Sequence, residues 1–69
     1  GVRVNSVNPG VVKTPASEPY FEDPKFLEEA QNFSVFHRVA EPEEIAKTVA
    51  FLASNTSSFV TGTNLIVDG

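Results

Sequence analysis

The sequence predicts an α/β fold: the C-terminal β-α-β portion of a doubly wound parallel sheet, incomplete as given. Three observations lead there. β-branched residues alternate with other types in GVRVNSVN near one end, and an apolar run recurs in NLIVD near the other. Between them, EPEEIAKTVAFLASN carries apolar residues at helical spacing. Strands separated by helices pair in parallel through a right-handed crossover, and parallel sheets are covered by helices on both faces. The helices available here cover one face at most. Two parallel strands alone are not a stable sheet, so the remaining strands are expected upstream.

Taken in order, Gly1 to Asn8 reads as a strand, with Val2 and Val4 on one face and Arg3, Asn5 and Val7 on the other. Pro9 cannot donate to a ladder and Gly10 tolerates backbone angles closed to other residues, so pairing is expected to stop there. Prolines at 15, 19 and 24 predict a stiff, acidic loop without regular structure. Asp23 is placed to cap a short helix from Pro24 to Asn32, with Phe26, Leu27 and Ala30 on one side. FSVFHRVA has no period and reads as a partly buried connection. Pro42 then opens the main helix, with Glu43 and Glu44 at the positive end of its dipole. Ile45, Val49, Leu52 and Ala53 form its apolar stripe; Ala46, Ala50 and Phe51 widen it, which predicts cover on two sides. Asn55 is a plausible stop, Gly62 marks a bend, and the last strand runs from Asn64 to Asp68.

Composition narrows the function. A free-standing domain of 69 residues buries only about 60% of its unfolded surface and usually needs a disulfide or a metal. With no cysteine and one histidine, neither is open to this chain. The net charge of −4 arises from nine acids against five scattered bases, so no basic stripe exists for nucleic acid. Apolar runs fall far short of the roughly 18 to 20 residues of a membrane span. The lack of cysteine suits a reducing compartment, and a cytoplasmic location is expected. The chain opens with Gly1 inside a strand-like pattern, so its true N-terminus is expected to lie upstream and a targeting signal is not observable.

Ligands of open α/β sheets bind at the carboxyl ends of the strands, which makes Pro9 to Thr14 the candidate loop. Gly10 allows close backbone approach, Val11 and Val12 offer backbone amides and carbonyls under apolar cover, and Thr14 offers a hydroxyl. Together these groups suit an amide.

RVNSVNPGVVKTP, EPEEIAKTVAFLAS and FVTGTNLIVDG, in this order and spacing, resemble the C-terminal part of the short-chain dehydrogenase/reductase family, whose sheet is Rossmann-like. The resemblance implies an NAD or NADP cofactor and a small-molecule alcohol or ketone substrate. It places Pro9 and Gly10 beside the nicotinamide ring, the backbone of Val12 on its carboxamide, and the Thr14 hydroxyl on the carboxamide or pyrophosphate. Residues 1–15 become strand and cofactor loop. Residues 16–40 become a substrate lid lined by Tyr20, Phe21, Phe26, Leu27, Phe33 and Phe36. Residues 41–69 become helix, last strand and the interface of a homodimer or homotetramer. Members often carry glycine where this chain has His37 and Ala40, which puts the backbone around His37 in question. The stretch SEPYFEDPKFLEE resembles the lid of tropinone-reductase-like members, a region too variable to name a substrate.

The family's Tyr-x-x-x-Lys pair and Gly-rich phosphate turn do not occur among these residues; the single tyrosine, Tyr20, is followed four places later by Pro24. The chain alone therefore holds no catalytic residue and no metal set, and the chemistry is expected of a parent chain. Plainer readings stand beside these. Pro9 and Gly10 can end a strand without a ligand, Thr14 can cap a turn ahead of Pro15, and the aromatic residues can be core. His37 reads as a surface or structural residue, Glu41, Glu43 and Glu44 as helix-start acids, and Asn5 as a tie between backbone segments. A non-catalytic relative or a truncated interaction module is the alternative to the oxidoreductase.

Overall fold

The computed structural model describes residues 1–69 and contains β1 (Ser6–Pro9), α1 (Glu18–Phe21), α2 (Pro24–Asn32), α3 (Pro42–Ala53), a 3-10 turn (Asn55–Ser57) and β2 (Asn64–Val67). β1 and β2 pair in parallel, with Ser6 opposite Asn64 and Pro9 opposite Val67. This is a partial doubly wound, Rossmann-like arrangement. Pro9 occupies the last ladder position because its missing amide is needed by nothing beyond it, and Gly10 closes the ladder by donating to the Val67 carbonyl at 3.0 Å.

The first strand is shorter than Gly1 to Asn8. Its partner turns away at Gly62, whose φ of 74° suits glycine. Residues 3–5 are therefore held by individual bonds rather than a ladder: Gly62 donates to the Val4 carbonyl, and Asn5 exchanges bonds with the Val60 carbonyl and the Thr63 amide. Asn5 thus ties backbone to backbone, as its sequence position suggests. Arg3 reinforces the same corner by donating to Ser57 Oγ and to the carbonyls of Val60 and Ser54, each at 3.1 Å.

The expectation of no regular structure between Pro15 and Pro24 is corrected by α1. Pro19 sits in the first turn, where an amide hydrogen has no helical partner, so it opens a turn of helix instead of breaking one. α2 has the predicted bounds, and the Asp23 carboxylate accepts from the Lys25 amide at 3.0 Å. α3 starts with a capping box between Glu41 and Glu44. It stops at Ala53, two residues before Asn55, because Ser54 turns extended and caps the 3-10 turn.

α3 lies along one face of the sheet, where Val7, Leu65 and Val67 are half-buried and Val7 shares a recess with Val49, Leu52 and Ala53. The other face carries Ser6, Asn8, Asn64 and Ile66, all exposed, with Ile66 at 61%. Only Ala30, Leu52, Ser34 and Ser57 are buried. The radius of gyration is 14.4 Å, against about 11 Å for a compact domain of this length. One helix layer on a two-stranded sheet leaves this chain without a closed core. No helix is long and apolar enough to cross a membrane.

Candidate functional site

The carboxyl ends of β1 and β2 open into a recess of about 520 Å³. Asn8, Pro9, Gly10 and Val11 form one wall, Ile66 to Gly69 another, and Ala30, Phe33, Ser34 and Phe36 the side toward α2. A Cβ added at Gly10 would lie 2.9 Å from Asp68 Cα, so the strand ends meet this closely only around glycine. Close approach, not an unusual φ, is what demands glycine here, since positive φ among the glycines occurs at Gly62 and Gly69 alone.

Beyond Gly10 the chain runs beside residue 40. The Lys13 amide donates to the Ala40 carbonyl and the Ala40 amide to the Val11 carbonyl, both at 2.9 Å. This parallel bridge turns the Val12 amide and carbonyl away from Ala40. The carbonyl accepts from Ser17 Oγ at 3.0 Å, whereas the half-buried Val12 amide has no partner within the chain. Thr14 Oγ1 accepts from the Ser17 amide at 3.2 Å and lies 3.1 Å from Ser17 Oγ. The Thr14 hydroxyl therefore does cap a turn ahead of Pro15. Its own hydrogen can turn elsewhere, because the Ser17 amide occupies an acceptor position only.

Of the residues named from the sequence, the recess gathers Pro9, Gly10, Phe33 and Phe36. Val12 and Thr14 continue the same loop outside it. Tyr20, Phe21 and Phe26 stand apart, in an aromatic cluster that joins α1 to α2: the Phe26 ring lies 5.7 Å from each of the other two centroids. Leu27 is half-buried on α2.

Sequence reasoning missed two polar anchors. Ser34, buried in FSVFHRVA, donates to the Gly69 carbonyl at 2.8 Å and accepts from the Phe36 amide, which also reaches Gly69. Ser57 donates to the Leu52 carbonyl at 2.9 Å beneath Arg3. Both pair residues distant in sequence, so no local pattern announces them. At His37 the backbone has φ 56°, the left-handed region that favours glycine, in agreement with the doubt raised by the missing glycine.

Arg38 and Glu44 close the rim of the recess with a two-pronged ion pair at 2.7 and 2.8 Å. The Arg38 hydrogen bonds, aided by the Glu41 amide at 3.0 Å, hold the Glu44 carboxyl at about 2, below its ordinary 4.5. The same bonds raise the Arg38 guanidinium. No group of three or more His, Cys, Asp or Glu side chains is placed to hold a metal.

A family model described as enoyl-(acyl carrier protein) reductase matches residues 1–69, the whole chain. The chain belongs to the short-chain dehydrogenase/reductase family. This family portion is 42% identical over 69 residues to a tropinone reductase homolog of Arabidopsis thaliana, covering 100% of this chain and 22% of the relative. It is 44% identical over 69 residues to cyclohexanol dehydrogenase of Acinetobacter sp. (strain SE19), covering 100% of this chain and 26% of that protein. Among solved structures it superimposes on 4-hydroxyisoleucine dehydrogenase complexed with NADH, with a TM-score of 0.90 and 31% identity over 99% of this chain and 28% of that one. The short-chain dehydrogenase/reductase portion thus spans about a quarter of the length of the curated relatives it matches.

Proposed function

We propose that the chain is the cofactor-loop, lid and subunit-interface portion of an NAD(P)-dependent oxidoreductase acting on a hydroxyl/carbonyl pair in a small molecule. The observation that carries this reading is the recess at the carboxyl ends of both strands, where Pro9 and Gly10 face Phe33 and Phe36. Ligands of open α/β sheets bind at that end. The family match over residues 1–69 supports hydride transfer as the chemistry of the site to which the recess belongs.

The residues present fit a nicotinamide carboxamide. The unpartnered Val12 amide is a donor for its carbonyl oxygen, and the Thr14 hydroxyl, 3.1 Å from Ser17 Oγ, can turn its hydrogen from that contact toward it. Pro9 and Gly10 would lie against the ring. When bound, the nicotinamide supplies or accepts the hydride, while the catalytic tyrosine and lysine come from the rest of the protein. Residues 16–40 act as the lid that excludes water from the recess, with Phe33 and Phe36 meeting substrate. Tyr20, Phe21 and Phe26 stiffen the lid through their mutual contacts rather than lining the recess.

Exposed Ala46, Ala50 and Phe51 on α3 suit a homodimer or homotetramer interface formed with β2. The residues that separate NAD from NADP follow the second strand of the sheet, so either cofactor fits what is seen here. A cytoplasmic location belongs to the same reading, since these 69 residues carry no cysteine.

In the full-length enzyme, Thr14→Ala is expected to raise the KM for the nicotinamide cofactor several-fold while the thermal midpoint holds. An unchanged KM would remove Thr14 from the cofactor site.

A further inference from the structure

Ser17 belongs to the lid segment by sequence, yet every side-chain hydrogen bond it makes goes back to the loop. Its Oγ accepts from the Thr14 amide at 2.8 Å and stands within 3.0 Å of the Val12 carbonyl and 3.2 Å of the Thr14 carbonyl. Its amide reaches Thr14 Oγ1 at 3.2 Å and the Thr14 carbonyl at 3.0 Å. One half-buried serine therefore holds the Thr14 amide and the Thr14 rotamer, and backs the peptide plane after Val12, which the Lys13 amide also ties to the Ala40 carbonyl. It does so from the residue immediately before α1.

We propose that Ser17 is a positioning residue for cofactor binding, holding Thr14 in the orientation that a carboxamide needs, beside a Val12 amide that the bridge to Ala40 orients. The inference rests on the nicotinamide reading of the loop. A hydroxyl has one hydrogen, and the shortest carbonyl available to Ser17 is that of Val12, so in the 3.1 Å contact between the two hydroxyls Thr14 is the donor and Ser17 Oγ its acceptor, a bond a ligand can replace. Ser17 thus supplies the constraint while Thr14 and Val12 keep the groups that would touch the ligand. Without the Ser17 hydroxyl, the Thr14 amide loses its acceptor and the Val12 carbonyl its donor; the plane after Val12 keeps its tie to Ala40, while the plane before Thr14 is free to turn.

The test uses the full-length enzyme and two probes: the dinucleotide, and ADP-ribose, which lacks the nicotinamide. In titration calorimetry, Ser17→Ala is expected to weaken dinucleotide binding roughly three- to ten-fold, the equivalent of one hydrogen bond's net contribution. ADP-ribose affinity is expected to stay at the wild-type level, and Ser17→Thr, which keeps the hydroxyl, to restore dinucleotide binding. Without ligand, the Thr14 amide is expected to exchange its hydrogen faster in Ser17→Ala. Equal loss for both probes, or no loss for either, would overturn the proposal. Wild-type protein that binds neither probe would overturn the oxidoreductase reading and this proposal with it.

Discussion

Residues 41–69 and residues 16–40 are held in different ways. The first region is secured along its length. α3 has a capping box, β2 has a ladder, and Arg3, Asn5 and Ser57 lock the corner between them. The second is secured at its ends: Ser17 ties its start to the loop, while Ser34, Phe36 and Ala40 tie its end to Gly69 and to Val11 and Lys13. Between those ends, α1 and α2 contact chiefly each other through the aromatic cluster. A segment anchored this way can vary its middle without disturbing the sheet, which is the behaviour a substrate-selecting region requires.

The largest effect that separates the two regions is expected from Leu52→Ala. It empties the buried side chain beneath α3 and should cost the full-length protein about 2–5 kcal/mol. Phe33→Ala, at a side chain 85% exposed, should change stability by no more than about 0.5 kcal/mol. Chemical denaturation of both variants checks the contrast. Equal losses would mean that the two regions share one core.

His37→Gly is next. Relief of a left-handed residue should raise stability by up to about 1 kcal/mol, since glycine meets no Cβ penalty there. A lower thermal midpoint would show that the imidazole makes a contact worth more than the strain.

The smallest effect concerns the ion pair that joins the end of segment 16–40 to α3. Glu44 has its folded-state value lowered from 4.5 to about 2, so its contribution is complete above 4.5 and fades as pH falls toward 2. The stability gap between wild type and Glu44→Gln should follow that window and be absent at its acid end. The pair is exposed, so the gap should be small and should shrink in salt.

How legible each region was follows from the range of its interactions. α2 and α3 carry their caps and apolar spacing within a dozen residues, and the sequence places both. α1 escaped because three prolines read as breakers, although Pro19 lies in the first turn, where proline costs no helical hydrogen bond. The strand before Pro9 was overextended, since alternation shows what can form a strand but not where the partner turns away. Ser34 and Ser57 were invisible for a related reason: their partners Gly69 and Arg3 lie 35 and 54 residues away. Pro9, Gly10, Phe33 and Phe36 were placed together through the family resemblance, whereas the recess itself depends on Gly10 passing Asp68, a contact no local pattern records.

The account depends most on the sheet being incomplete, with the face that carries Asn8 and Ile66 bare and each of its two strands unpaired along one edge. Thermal unfolding of the isolated 69-residue polypeptide, followed by circular dichroism at a concentration where it is monomeric, tests this directly. A broad, non-cooperative change is the predicted result; a sharp transition would contradict the proposal that this two-stranded sheet depends on further strands.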